Sequence, residues 1–420
     1  MSFVKSVARR GATGDARPAP SRTSPWRGRA VGIALGVALD AVFADPRSGL
    51  HPVAVFGRGA AAVERRLYGD DRARGVGHVA VCVGAMTALG AAVEWSIRGR
   101  PGKSGKPGKP GARSIPGLPG MYGTRGMRGP RGVLGTKGMP GIRGVLGPQG
   151  VPVSRGMLGL HGMPGPTGVV GSRGMSAAGA GLTALTALAT WAVLGGTTLG
   201  REGAYMARAL EADDLAAARE RLPHLCGRDP SGLSADELAR ATVESIAENT
   251  SDAVVAPLVW GAVAGVPGLL AYRAINTLDA MVGHRSERYE RFGWAAARLD
   301  DVANYVPARI TGALACVLAP LVGGSPRRAA AVLRRDGGRH PSPNSGRCEA
   351  AFAGALGVRL GGRNVYAGRV EHRPVLGDGR DPRVGDIARS VRLARAVNLA
   401  AAGLAVAAAW ALGRGRRRGA

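Results

Sequence analysis

Long apolar segments recur along this 420-residue chain, and they constrain its fold more than any other feature. Their approximate bounds are 30–44, 77–95, 178–200, 253–272, 308–324 and 393–413. A helix needs about 20 apolar residues to cross the hydrocarbon core of a bilayer, and several of these segments reach that length. Aromatic residues make up only 4% of the chain and small residues are frequent, which is typical of closely packed membrane helices. The sequence therefore predicts an all-α, polytopic integral membrane protein.

Two apolar segments contain residues that a simple span would avoid. Gly265, Pro267 and Gly268 interrupt the segment 253–272, so a straight span and a re-entrant helical hairpin both remain open. Asp40 lies within 30–44, where a carboxylate is costly unless it faces the protein interior. Basic flanks at both ends of the chain predict cytoplasmic termini and an even number of full crossings.

Amphipathic helices are expected between the apolar segments, over 200–225 and 229–252. In the second, Ser234 is followed three residues later by Glu237, which is the spacing of a capping box. This pattern predicts a helix that runs from Ala235 well past Glu244.

Glycine occupies every third position from Gly99 to Gly174, with Ser114 and Val153 as the exceptions. This Gly-X-Y period is typical of the collagen triple helix, in which only glycine fits at the crowded axis. Two interruptions and a modest proline content leave open a disordered basic insertion or a trimerising rod. We therefore divide the chain into a disordered basic leader (1–28), membrane segments (29–98), a Gly-X-Y insertion (99–175), a second membrane region (176–413) and a basic tail (414–420).

The net charge of +28 does not indicate nucleic-acid binding. Much of it lies in the Gly-X-Y insertion, the basic residues are not interleaved with aromatic ones, and no helix-turn-helix or zinc-finger spacing occurs. A charged surface that faces anionic lipid or nucleotide explains it better. The four cysteines are far apart, which argues against a zinc site or a disulfide framework.

Three polar stretches carry the residues that could perform chemistry. The first, "VESIAENTSD" (243–252), spaces Glu244, Glu248 and Asp252 so that they share one face of a continuous helix. Like charges at this spacing repel, and either solvation at a helix end or a hard cation such as Mg²⁺ would offset the repulsion.

The second stretch, 272–309, mixes carboxylates and amides with arginines. Its acidic and amide residues form pairs one helical turn apart, Asn276 with Asp279 and Asp301 with Asn304, so each pair could point at one site. Metal–nucleotide binding and ordinary surface ion pairs both fit this composition.

The third stretch, 338–368, begins with a proline-rich turn around Ser342 and continues into a helix start, where backbone amides could hold an anion. No GxxxxGK[ST] motif occurs in the chain, so any ATP would be bound outside a P-loop.

Taken together, residues 39–58, 243–309 and 340–366 closely resemble the adenosylcobinamide-phosphate synthases, integral-membrane proteins of cobalamin biosynthesis. The resemblance covers roughly residues 30–98 and 177–413. It implies an ATP-dependent amide ligation between adenosylcobyric acid and aminopropanol or its O-phosphate. Mg²⁺ is the expected cofactor, and ATP is a substrate. The leader and the Gly-X-Y insertion are departures from the family.

Within this chemistry we assign hypothetical roles to the residues of the three stretches. Metal ligands are Glu244, Glu248 and Asp252. Catalytic candidates, for a second metal contact or a general base, are Asp279, Asp300 and Asp301. Candidates for binding nucleotide or phosphate are Asn249, Arg273, Arg285 and Arg309. Candidates for binding the other substrates are Asn276, His340, Ser342 and Asn344.

The expected partners are the corrinoid and aminopropanol substrates, membrane lipid and other membrane enzymes of late cobalamin assembly, with no nucleic acid. The expected location is the cytoplasmic membrane, crossed several times. A transporter that uses intramembrane acids, or a membrane-anchored collagen-like scaffold, are the alternatives.

Overall fold

The structure is a computed structural model that describes residues 25–44, 51–98, 176–284, 286–366 and 369–418. The chain divides into two units, one made of Met1–Pro101 with Met175–Ala420 and the other of Gly102–Gly174. The second unit, the first 24 residues and Arg285 lie outside the described residues, and so do our predictions about them. The first helix begins at Pro25, within the leader predicted over 1–28.

Helices dominate the described part of the chain. The α-helices are α1 (Pro25–Phe43), α2 (Pro52–Leu67), α3 (Arg72–Arg98), α4 (Ala177–Val193), α5 (Gly196–Glu211), α6 (Leu215–Arg221), α7 (Ala235–Thr250), α8 (Ala256–Leu278), α9 (Trp294–Ala303), α10 (Tyr305–Val317), α11 (Pro326–Asp336), α12 (Ser345–Leu356) and α13 (Val384–Arg418). Short 3₁₀ turns cover Leu222–His224 and Ala319–Val322. The capping box is confirmed, because Ser234 and Glu237 bond each other's backbone amides at the start of α7.

By length and composition, four helical stretches among the described residues are long and apolar enough to cross a membrane: Arg72–Arg98, Ala177–Glu211 (α4 with α5), Ala235–Gly283 (α7 with α8) and Val384–Leu412. Large apolar side chains such as Trp95, Val302 and Leu399 are exposed, as expected for surfaces that face lipid. The predicted all-α membrane fold is confirmed.

Small residues bring α1 and α4 together. Gly28 faces Thr183, Gly32 faces Thr186 and Gly36 faces Thr190, so the two helices run parallel and in register. Side chains at these glycines would collide with α4, which explains the glycine at every fourth position of α1. Asp40 follows on the same helix and is buried, where it accepts hydrogen bonds from the backbone amide and hydroxyl of Thr197.

Helix α8 is a helical hairpin, which decides between the two alternatives for the interrupted segment. Gly265 has a φ of 71°, outside the helical region, and divides α8 into legs 256–264 and 266–278. Gly261 faces Leu269, and the position of a side chain on Gly268 would be occupied by the carbonyl of Trp260. In a straight helix, residues eight apart would be separated by about 12 Å, so the legs must run antiparallel.

The two ends of the hairpin lie close together. The hydroxyl oxygen of Tyr272, on the second leg, lies 3.1 Å from the carbonyl oxygen of Asp252, although twenty residues separate them. Each leg also joins a π-helical turn, Ser251–Val255 before the first and Asp279–Gly283 after the second. We call these two turns the feet of the hairpin, and the turn at Gly265 its apex.

The structure contains one pair of strands that the sequence did not predict. Strands β1 (Leu360–Tyr366) and β2 (Arg369–Leu376) form an antiparallel pair after the predicted turn and helix start. Gly361 and Gly362 both have φ near 90°, and an irregularity in the strand register occurs between Leu360 and Gly362. Glycine favours such a bulge because it adopts positive φ without strain.

Candidate active site

Each foot of the α8 hairpin carries an aspartate, and the two carboxylates are close enough for their charges to interact. Asp252 lies in the first π-turn and Asp279 in the second, and the negative charge of Asp279 acts on the carboxylate of Asp252. Asp300, from α9, acts on Asp252 more strongly still. We call Asp252, Asp279 and Asp300 the aspartate cluster. π-turns interrupt helices most often at functional sites, and here each one carries a carboxylate of the cluster.

Amide side chains orient Asp300. The Nδ2 of Asn304 donates to Asp300 Oδ2 at 3.0 Å, and Asn276 also hydrogen-bonds this carboxylate. Asn304 in turn accepts from the hydroxyl of Tyr272 at 2.9 Å, and it is fully buried. The predicted pairing of Asn304 with Asp301 is therefore wrong. A helix places residues four apart on one face, and Asp300 is the residue on that face.

Burial, reinforced by the charge of Asp279, raises the pKa of Asp300 to about 7. Burial also raises the pKa of Asp301, although Arg298 lies 3.6 Å away and opposes the shift. Asp301 is the more accessible of the two, with 28% of its side chain exposed. Asp300 is therefore the better placed to exchange a proton near neutral pH.

A second group of acids lies beside α12. Glu244 and Glu248 project from α7, and Glu349 projects from the buried helix α12; we call these three the glutamate cluster. Burial, followed by the charges of Glu244 and Glu248, raises the pKa of Glu349 well above its usual value. Glu248 also acts on Asp252, so it links the two clusters.

Each glutamate from α7 has its own partner. Glu244 forms a buried ion pair with Arg228 and accepts a 2.7 Å hydrogen bond from the amide of Gly361. Glu248 accepts a 2.6 Å hydrogen bond from the hydroxyl of Ser345 at the start of α12. Glu244, Glu248 and Asp252 thus follow one another along the site, each with different contacts.

The predicted substrate loop packs against the glutamate cluster. His340 Nε2 lies 2.9 Å from Arg373 Nη1 and 3.9 Å from the carboxylate of Glu349. Burial, followed by the charge of Arg373, lowers the pKa of His340. The hydroxyl of Ser342 accepts from the amides of Asn344 and Ser345, and so holds the turn into α12.

The structure places the residues predicted to bind nucleotide or phosphate in different parts of the site. The positive charge of Arg273 acts on Asp252, so this arginine belongs to the aspartate cluster. Arg309 stacks over Tyr305 and donates to Asn344 Oδ1 at 3.4 Å, and Asn344 donates to the carbonyl of Asp301 at 2.8 Å. The side-chain amide of Asn249 donates to Ser245 on its own helix. Arg285 lies outside the described residues.

Within the described ranges, no three His, Cys, Asp or Glu side chains are already grouped closely enough to hold a metal ion. Magnesium, however, is usually bound through one or two carboxylates, with waters and substrate phosphates as its other ligands. The aspartate cluster offers such oxygen ligands, and its mutually repelling carboxylates would gain from a cation.

Sequence analysis missed four residues of this site: Arg228, Ser345, Glu349 and Arg373. The signal for Glu349 was present, because it is the lone carboxylate in "CEAAFAGAL", an otherwise apolar run over 348–356. A lone acid in a fully buried helix needs a specific purpose or partner. Arg228 lies in a loop and Arg373 in a strand, and neither is a lone charge in an apolar run. The sequence around them therefore gives no signal, and only the fold brings them to the glutamates.

These features define a helical membrane protein with a largely buried site in which carboxylates are interleaved with arginines, amides and a histidine. A family model described as "CobD/Cbib protein" matches residues 33–104 and 148–394. The chain belongs to this family, and the resemblance identified in the sequence is confirmed. A second model, "Collagen triple helix repeat (20 copies)", matches residues 90–152.

Curated relatives agree with the family model. "Cobalamin biosynthesis protein CobD" of Mycobacterium tuberculosis is 46% identical over 383 residues, which is 91% of this chain and 96% of the relative. Proteins of the same name from Rhodobacter capsulatus and Geobacter metallireducens are both 52% identical, over 46% and 47% of this chain and 60% and 62% of the relatives. No solved structure matches the chain.

Proposed function

We propose that this chain is an ATP-dependent amide ligase that joins the free carboxyl group of adenosylcobyric acid to the amine of aminopropanol or its O-phosphate. Its role in cobalamin biosynthesis follows from its family. The transporter and scaffold alternatives are not favoured. The observation that carries the proposed chemistry is the aspartate cluster, in which the hairpin feet and α9 present three carboxylates next to Arg273.

Amide formation from a carboxylate requires activation, because the carboxylate is a poor electrophile. In our proposal the corrinoid carboxylate attacks the γ-phosphorus of ATP, which forms an acyl phosphate and releases ADP. The amine then attacks the acyl carbon, which forms the C–N bond and expels inorganic phosphate. The amine loses one proton in this second step, and a base must take it.

Asp300 is our candidate for that base. Without a bound cation the pKa of Asp300 is about 7, mainly because the carboxyl group is buried. A cation held by Asp252 and Asp279 would lower this pKa, so Asp300 would be ionised and able to accept the proton. Asn304 and Asn276 fix its orientation. Asp301, on the more exposed side of α9, is the weaker candidate.

The same cluster is our candidate metal site. Asp252 and Asp279 would hold Mg²⁺, which when bound neutralises phosphate charge during phosphoryl transfer. Arg273 lies beside them and would bind a phosphate oxygen of the nucleotide. Arg309 lies further along, at the Asn344 turn, and is a second candidate for a phosphate contact.

We assign the glutamate cluster to positioning and substrate contact. Glu244 is engaged by Arg228 and the Gly361 amide, so we propose that it holds β1 against α7 rather than ligating the metal. His340 and Arg373 lie beside Glu349, with 7% and 25% of their side chains exposed, and are candidates to contact the second substrate. We further propose a multi-pass location in the cytoplasmic membrane, with lipid and other late cobalamin enzymes as partners and no nucleic-acid partner.

The test is complementation of a strain that cannot attach the aminopropanol arm, together with product formation by purified protein. The full chain and a variant lacking 99–174 should both restore cobalamin synthesis, because the described site lies outside that segment. Asp300→Asn should lower kcat by roughly 100-fold or more, the usual contribution of a general base. Asp381→Asn is the matched control, since Asp381 is an exposed acid paired with Arg359 away from the clusters.

Failure of both the full chain and the deletion to make product would contradict the ligase proposal. An Asp300→Asn enzyme as fast as the Asp381→Asn control would leave the family assignment intact and remove Asp300 from the mechanism.

A further inference from the structure

The apex of the α8 hairpin leaves backbone groups that need partners. The first leg ends before Gly265 and the second begins after it, so carbonyls at the end of one leg and amides at the start of the other have no partner within a helix. Backbone groups buried in a membrane protein need hydrogen-bond partners, because an unpaired buried amide or carbonyl is costly. Something from the surrounding helices must therefore bind the apex.

Two buried charged side chains from different helices do so. Arg29 of α1 donates from Nη1 to the carbonyl oxygens of Val263 at 3.3 Å and of Ala262 at 3.5 Å. Glu94 of α3 accepts a 2.9 Å hydrogen bond from the amide of Val266. Arg29 is thus a donor to the end of the first leg, and Glu94 an acceptor at the start of the second.

The same two side chains pair with each other across the apex. Arg29 Nη2 lies 3.9 Å from Glu94 Oε1, and their side chains are only 7% and 9% exposed. The other oxygen of Glu94 bonds Arg98 at 2.7 Å, one turn further along α3. Gly265 leaves the necessary room, because a side chain there would overlap the ends of both Arg29 and Glu94.

We propose that Arg29 and Glu94 are positioning residues that hold the hairpin apex and thereby fix the spacing of Asp252 and Asp279 at its feet. The two legs are rigid helices that contact each other from Trp260–Gly268 down to Asp252–Tyr272. A displacement at the apex is therefore transmitted to the feet, where small misplacements of reacting groups are costly. The catalytic consequence rests on the proposed function, whereas the geometric one does not.

The ordinary alternative is that Arg29 and Glu94 are only an ion pair between α1 and α3. The two possibilities make different demands on positions 29 and 94. Backbone capping requires a donor at 29 and an acceptor at 94, whereas an ion pair requires only opposite charges. Exchanging the residues in an Arg98→Gln background, Arg29→Glu with Glu94→Arg, keeps an ion pair and avoids repulsion between the new arginine and Arg98, but it presents an acid to the carbonyls and a cation to the Val266 amide. Capping predicts that the exchanged pair fails, and a simple ion pair predicts that it works.

The experiment compares hydrogen–deuterium exchange and kinetics of the full chain in lipid nanodiscs. Glu94→Gln keeps a carbonyl acceptor for Val266, whereas Glu94→Ala removes it. Arg98→Gln is the control, because Arg98 contacts Glu94 without touching the hairpin. Arg29→Leu, which removes the donor to the carbonyls of Ala262 and Val263, takes the place of Glu94→Ala, with the same expected result, if that variant does not yield folded protein.

We expect Glu94→Ala and the exchanged pair to increase deuterium uptake both at the apex and at the feet, over 251–255 and 279–283. Their kcat should fall on the order of 10- to 100-fold with KM nearly unchanged, while Glu94→Gln and Arg98→Gln stay within a few-fold of the parent. Rescue by the exchanged pair would overturn the proposal, and so would increased uptake at the apex without any change at the feet. A parent chain that makes no product, while the feet respond to Glu94→Ala, would refute the ligase function and leave the positioning role supported.

Discussion

Replacing Asp300 with asparagine should stabilise the protein in the absence of nucleotide and divalent ions. Burial and the charge of Asp279 raise the pKa of Asp300 from 3.8 to about 7, which means that the folded state disfavours its ionised form. At about 1.4 kcal/mol per pKa unit, this rise corresponds to roughly 4 kcal/mol of destabilisation once the carboxyl group is ionised. Asparagine never ionises, so the penalty disappears.

The gain will be smaller than that figure. An asparagine at 300 can still accept the hydrogen bond of Asn304 through its carbonyl oxygen, but it has no negative charge to strengthen the bonds from Asn304 and Asn276. Weakening these bonds to a charged group costs about 2 kcal/mol, so a net stabilisation of about 2 kcal/mol remains.

The sign of the pH dependence follows from the raised pKa. Between the unfolded pKa near 3.8 and the folded pKa of about 7, the folded state binds the extra proton, so stability falls as the pH rises through this window. The difference between Asp300→Asn and the parent should therefore be small near pH 4, grow up to pH 7 and level off above it. Thermal unfolding in mild detergent at several pH values measures this difference.

The control is the same substitution at a different buried aspartate, and it should destabilise the protein. Asp386 is also buried, but it is bonded by Arg380 and Arg389 and by the amide of Arg383. Asp386→Asn should destabilise the protein by about 3–5 kcal/mol, as expected when one partner of a buried pair is removed. If Asp300→Asn destabilised the protein to a similar extent at pH 8, the assignment of Asp300 as a strained, functional acid would be refuted.

Two further substitutions test ion pairs of the fold. Glu244→Gln should cost about 3 kcal/mol in unfolding free energy, because it removes one charge of the buried ion pair with Arg228. An unchanged melting temperature would show that the pair is not structural. Asp336→Asn should cost about 3 kcal/mol at pH 7, because Arg335 and the Gly377 amide bond this buried carboxylate. Arg335 holds the pKa of Asp336 below 3.8, so its contribution is lost as the pH falls below that value. A difference from the parent that did not shrink as the pH was lowered from 4 would contradict this account.

The lengths of the apolar segments and the signals that start helices were enough to predict most of the architecture. Apolar segments and the capping box depend on neighbouring residues along the chain, and α3, α4, α7 and α13 formed where these local patterns indicated. The β1–β2 pair was missed because strand pairing depends on a partner segment and on a glycine bulge, and helical periodicity does not report either.

The site was predicted in part. Acid-rich stretches pointed to Glu244, Glu248, Asp252, Asp279 and Asp300, and the fold brings all five into two linked clusters. Helical spacing assigned the wrong partner to Asn304, and it could not reveal Glu349, Arg228 or Arg373. These residues come from separate elements, so their proximity is a property of packing alone.

What the sequence determined by itself is the membrane character, the family and the acidic stretches, because each is encoded by residues near one another in the chain. Only the tertiary structure decided that α8 is a hairpin, since Gly265, Pro267 and Gly268 permit a break without specifying its angle. Arg29 and Glu94 stabilise the hairpin, because they bind the backbone groups that the break leaves without helical partners. Because those side chains come from helices far away in sequence, the position of the aspartate cluster is fixed by contacts that no local pattern contains.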